Sequence, residues 1–87
     1  KEAEGVWRVG ARTAVADLNR QLALELPEGE DYTTIGGLML ERLKHIPREG
    51  ESIRVGPLLL RVTKATDRGI EEVQIRVAKK REPPRPN

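Results

Sequence analysis

Few residues of this sequence have the types and spacing that chemistry needs, and the first are three carboxylates. Glu28, Glu30 and Asp31 flank and follow Gly29 within four positions. Hard divalent cations take oxygen ligands from such loops, and a glycine lets the chain curve round an ion. The spacing completes no helix-loop-helix calcium loop, so as a metal reading it gives only a weak, regulatory divalent site. The plainer alternative is a solvated acidic flank that complements the positive end of a following helix.

His45 is the only histidine and there is no cysteine. Disulfides, thiolate zinc sites and cysteine nucleophiles are thereby excluded. A Ser-His-Asp triad survives by count and has no other support. One histidine without a second or a cysteine is a poor metal site. Next to Lys44 and Ile46-Pro47 it suits the carbonyl end of a helix. Arg8, Arg12 and Arg20 could gather near a helix start and meet an anion or nucleotide. No glycine-rich phosphate loop accompanies them, and Gly36-Gly37 lacks the Gly-x-Gly-x-x-Gly spacing of a dinucleotide site. Trp7 and Tyr32 read as core or rim residues, because two isolated aromatics do not make a stacking platform. Neither catalytic residues nor a resident cofactor are expected.

The elements that must position these groups follow from periodicity. Val6-Trp7-Arg8-Val9 alternates as a strand, closed by Gly10, with Trp7 and Val9 on one side. Thr13 suits the N-cap of a helix over about 14–22, where Val15, Leu18 and Leu22 form one apolar stripe. Thr33 or Thr34 can cap a second helix over about 34–43, with Ile35, Leu38, Met39 and Leu43 inward and Leu40 widening the stripe. Gly36-Gly37 costs this helix about 1 kcal/mol per glycine relative to alanine; close approach of a neighbouring sheet would compensate. Pro47 ends the helical region. Ser52–Val55, Leu58–Thr66 and Ile70–Val77 read as strands bounded by glycine-containing turns. Ile70 is out of phase with Val73, Ile75 and Val77, which predicts a bulge near Glu71-Glu72. The order β-α-α-β-β-β implies an α+β domain with two helices packed on one face of a small, mainly antiparallel four-stranded sheet.

Eighty-seven residues allow a single small domain. The longest apolar runs are three residues, such as Leu58-Leu59-Leu60, far short of the roughly 20 that a transmembrane helix needs and of a secretory signal. The net charge is +2. Lys79, Lys80, Arg81 and Arg85 against Glu82 make the last ten residues +3, so residues 1–77 sum to −1 with 12 basic and 13 acidic groups. The expectation is that basicity belongs to a tail and not to a folded face, which removes the basis for nucleic-acid binding. The tail, Pro83-Pro84-Arg85-Pro86 after the basic run, reads as a polyproline-like solvated end, with contact to anionic lipid as an alternative. Residues 1–5 form a flank, 6–78 the domain and 79–87 the basic, proline-rich tail. Lys1 is not an initiator methionine, and the chain reads as a piece of something longer.

Several separated motifs agree with one family. Trp7-Arg8-Val9, Arg12-Thr13 and Asp17-Leu18-Asn19 are followed by Leu26-Pro27 and by Glu30-Asp31-Tyr32-Thr33-Thr34-Ile35-Gly36-Gly37-Leu38. Leu43, Ile46-Pro47, Gly50-Glu51, Val62 and the strand 70–77 complete the pattern, over about residues 6–77. The chain resembles the transporter-associated domain of the CorC/HlyC family. It departs from that family at Gly10-Ala11, where an Asp-Gly pair is usual, at Leu58–Leu60, where an aromatic often stands, and in having Gly36 before the helix glycine. The resemblance implies a cytoplasmic domain at the end of a membrane protein, following transmembrane and CBS regions. Its parents resemble magnesium and cobalt efflux proteins or proteins named haemolysins, and the domain is thought to modulate ion transport. The family fold is similar to a subdomain of flavin-binding oxidases, yet FAD is not expected here. The implied partners are the rest of the parent protein and a second copy in a homodimer, with membrane contact through the tail and no nucleic acid. The rival function is a small-ligand module, taking a divalent cation at Glu28, Glu30 and Asp31 or a nucleotide by fold analogy.

Overall fold

The structure, a computed structural model, describes residues 5–77; the first four residues of the flank and all of the tail, with its basic run, lie outside them. The elements are β1 (Val6–Gly10), α1 (Val15–Leu22), α2 (Ile35–Leu43), β2 (Ser52–Val55), β3 (Leu58–Thr66) and β4 (Gly69–Val77). The strands form one antiparallel sheet in the order β1-β4-β3-β2. The first strand therefore pairs with the last, and both helices pack against one face. This is the expected α+β architecture. Among the described residues no helix is long and apolar enough to cross a membrane.

Alternation along the strands places Leu60, Val62, Val73 and Ile75 in the centre of the core. Val15 and Leu18 of α1, Ile35, Leu38 and Met39 of α2, and Leu26 between the helices close over them. Trp7 and Val9 pack at its margin. Leu40 does not widen the buried stripe of α2; it is 39% exposed, because it lies on the helix side turned away from the sheet.

The expected bulge is present and has a partner. Lys64 pairs with Glu72 between the in-phase pairs Val62 with Val73 and Ala65 with Ile70. Thr63 on β3 and Glu71 on β4 are thus each one residue extra, and the two slips cancel. Ile70 and Ala65 return to the core side as a result.

Thr13 does not cap α1. The cap position is Ala14, which has no side chain able to accept, and the helix begins at Val15. A backbone carbonyl does the work expected of the hydroxyl. The Val15 amide donates to Thr33 O at 2.8 Å and the Ile35 amide to Thr13 O at 3.0 Å, an isolated antiparallel bridge joining Ala14 and Thr34. The starts of the two helices are thereby stitched together. Thr34 caps α2, its hydroxyl accepting from the Gly37 amide at 3.1 Å.

Gly36 shows why this helix tolerates glycine. Its amide donates to Ala11 O at 2.9 Å, and a Cβ placed on it would lie 2.9 Å from Ala11 Cβ and 3.0 Å from Ala11 O. The close approach is to the turn after β1 and not to the sheet itself. Asn19 fixes the connection between the helices in a comparable way. Its side-chain amide accepts from the Leu26 amide at 2.7 Å and donates to the Leu26 carbonyl at 2.9 Å, replacing a strand partner.

Three substitutions test these contacts by thermal or denaturant unfolding. Gly36→Ala is expected to lower stability by about 1–3 kcal/mol despite better helix propensity, since overpacking outweighs it. Adding Ala11→Gly is expected to restore part of the loss, because it removes one of the two clashing atoms. Asn19→Ala is expected to cost about 1–3 kcal/mol by leaving both Leu26 backbone groups without their partner; an unchanged midpoint would contradict that role.

Candidate functional site

The acidic loop is shaped by a tyrosine. The Tyr32 hydroxyl donates to Pro27 O at 2.8 Å, and its ring lies over Gly29, where a Cβ would meet Cε2 at 2.8 Å. Gly29 makes room for the ring. Glu28 accepts from the Asn19 side-chain amide at 3.3 Å, while Glu30 and Asp31 are exposed. Among the described residues no three of His, Cys, Asp and Glu assemble into a group able to hold a metal. The three candidate ligands share a loop without converging on one point.

His45 does meet the end of α2, as its position in the sequence suggested. Its Nδ1 lies 2.9 Å from Leu43 O. Its Nε2 lies 3.0 Å from Glu51 Oε1, and the other oxygen of Glu51 accepts from the Arg48 amide at 2.9 Å. Both atoms facing the ring are acceptors, so both contacts are hydrogen bonds only when the imidazole carries two protons. The Arg48 amide, first, and then the His45 ring hold the Glu51 carboxyl below its ordinary range. No spacing in the sequence linked Glu51 to His45, because the pair is formed across the turn that Pro47 creates.

The three arginines considered for an anion site are dispersed. Arg20 pairs with Asp17 at 2.6 Å, and Arg8 lies 3.8 Å from Glu72 on the sheet. Arg12 lines an open groove with Arg68, Gly69 and Glu71 at one end of the sheet. Gly36 and Gly37 are packing positions, the latter against Tyr32 Cβ.

What the fold does assemble is open surface. No polar or charged side chain is buried among the described residues. The sheet face away from the helices presents Arg8, Arg54, Arg61, Lys64 and Arg76, every one exposed. This corrects the expectation that basicity belongs to the tail alone: a near-neutral total conceals a basic side. β1 and β2 are the two edges of the sheet, each paired on one side only among the described residues.

Comparison with known proteins places this surface in a family. The family model described as the transporter associated domain, CorC_HlyC, matches residues 1–79. The chain belongs to the CorC_HlyC transporter-associated domain family. A CorC-associated region from Neisseria meningitidis MC58, solved crystallographically, superposes with a TM-score of 0.82 at 29% identity, covering 90% of this chain and 95% of that one. The protein YegH of Escherichia coli K12 is 36% identical over 75 residues, 86% of this chain and 14% of that protein. The magnesium and cobalt efflux protein CorC of Salmonella typhimurium is 30% identical over 71 residues, 82% of this chain and 24% of that protein. This CorC_HlyC domain thus spans between a seventh and a quarter of the length of these two relatives.

The Arg48 amide and the His45 ring, both bonded to Glu51, give the domain a predictable acid response. A carboxyl with a lowered pKa when folded adds stability above its unfolded pKa and loses it as pH falls through the folded value. Removing the carboxylate in Glu51→Gln is therefore expected to lower the melting temperature at neutral pH and to make no difference well below pH ~3. Melting curves of both proteins from neutral to acid pH check this; a gap that stays constant would contradict it.

Proposed function

We propose that this chain is a non-catalytic regulatory and interaction module of a membrane ion transporter of the magnesium and cobalt type, working at the cytoplasmic face. It docks on the remainder of its parent protein, or on a second copy of itself, and biases transport by favouring one conformation. The observation that carries this reading is the distribution of the polar groups. All the charged side chains of the described residues are at the surface, around a sheet that keeps one face and two edges open. The family and the efflux protein among its relatives supply the transport context.

A module of this kind acts only through differential binding. If it holds one state of the transporter about 1.4 kcal/mol more tightly than another, it shifts their ratio tenfold. Open strands offer one way to a second copy, since an edge presents unpaired amides and carbonyls in register, and a two-fold axis would pair an edge with itself.

The test is removal. Deleting the region equivalent to residues 6–77 from the parent protein is expected to change the rate or apparent ion affinity of Mg²⁺ or Co²⁺ flux several-fold, while the protein still inserts in the membrane. Flux measured in reconstituted vesicles that is the same with and without the domain would refute the regulatory role.

A further inference from the structure

We propose that the open face of the sheet is a docking surface for an anionic lipid leaflet. Strand register sets the arrangement. Arg76 on β4, Leu59 on β3 and Arg54 on β2 lie side by side in one row, so Arg76 and Arg54 stand about 10 Å apart at the backbone with Leu59 between them. Arg61 is two residues further along β3, about 7 Å from Leu59 on the same face. Arg54, Arg61 and Arg76 are exposed and form no ion pair among the described residues, while Leu59 is half-buried in their midst. The acidic residues Glu71 and Glu72 sit at the other end of the face, beside Lys64, with Glu72 already bonded by Thr63 at 2.8 Å.

The rest of the domain has the opposite sign. Residues 5–77 hold eleven basic and eleven acidic groups. Five basic groups and, counting both bulge residues and Glu49, which lines a groove with Arg61, Thr63 and Gln74, three acidic ones belong to the open face. Six basic and eight acidic groups remain elsewhere. A neutral body with a positive face and a negative back is oriented by a negatively charged plane: the face is attracted and the back repelled.

The chemistry of the face selects a leaflet among anionic partners. Protein interfaces gather aromatic residues and Met as well as Arg, and single-stranded nucleic acid stacks on aromatic rings. This face holds neither aromatic residues nor Met: Trp7 packs at the core side and Tyr32 covers Gly29. A set of arginines around Leu59, with Val6 beside Arg76 in the same row, matches a plane of headgroups, with the guanidinium groups at the phosphates and the aliphatic side chains toward the acyl boundary. The inference rests on the reading of the chain as part of a membrane protein, which puts a bilayer within reach.

The test is partition of the 87-residue chain onto vesicles, phosphatidylglycerol with phosphatidylcholine against phosphatidylcholine alone, by co-sedimentation at low salt. Binding is expected only to the anionic vesicles and is expected to fall away at high salt. Arg54→Gln/Arg61→Gln/Arg76→Gln is expected to reduce it about 100-fold, each residue contributing about fivefold, and Arg61→Gln alone about fivefold. Arg20→Gln/Arg42→Gln/Lys44→Gln, which removes the same charge from the helix side, is expected to change it by less than about threefold. The same pattern is expected when Lys79, Lys80 and Arg81 are all changed to Gln, which separates the face from the tail. Equal losses for the two triple variants would overturn the proposal, as would absence of binding to anionic vesicles or equal binding to neutral ones. Flux changes on deleting the domain are read independently, so either result can fail while the other stands.

Discussion

The structure depends on one close contact, where the first turn of α2 meets the turn that follows β1. Three backbone hydrogen bonds converge there, from Val15 to Thr33, from Ile35 to Thr13 and from Gly36 to Ala11. They fasten the start of each helix to the other and fasten α2 to the end of the first strand. Gly36 is what permits it, since any Cβ would occupy the space of Ala11. With the helices held on one side, Leu38, Met39, Val15 and Leu18 close the core over β3 and β4. Among the described residues no element covers the other side of the sheet. A sacrifice of about 1 kcal/mol in helix propensity thereby decides which face of the sheet is covered.

That division also sorts the charge. The strands alternate, so burying Leu58, Leu60 and Val62 obliges Leu59, Arg61 and Thr63 to face outward, and burying Val73 and Ile75 does the same for Gln74 and Arg76. The two compensating slips keep the alternation intact beyond Val62 and set Glu71 and Glu72 at one end. At the opposite end Arg54 and Arg76 form no ion pair among the described residues, and Arg61 shares a groove with Glu49. Packing on one face and electrostatics on the other are two consequences of the same register.

Much of the fold was legible because its signals are local. Both helices and the last three strands begin and end within one residue of the positions read from periodicity and turn residues, and the phase error at Ile70 correctly announced a bulge. Signals that depend on a distant partner were not legible. Thr13 was a sound candidate cap, but the first amide of α1 is satisfied by Thr33, eighteen residues ahead of it. Leu40 fits the apolar stripe of α2, yet only the packed helix shows that it lies on the side turned away from the sheet. His45 was placed at its helix end correctly, while Glu51, across the proline turn, carried no pattern linking the two. Glu28, Glu30 and Asp31 are close in sequence, which says nothing of whether their oxygens converge. The basic face is not legible for a different reason: net charge is a sum over the whole surface, and only strand register shows how its terms are divided.

The central claim is that the contact between the helix starts and the β1 turn belongs to the most stable part of the molecule and is not a loosely held connection. Amide hydrogen exchange reads it directly. The amides of Val15, Ile35 and Gly36 are predicted to exchange as slowly as those of Leu60, Val62 and Ile75 in the central strands, opening only on global unfolding. Exchange of these three at the rate of the exposed turns, with the central strands still protected, would contradict the account.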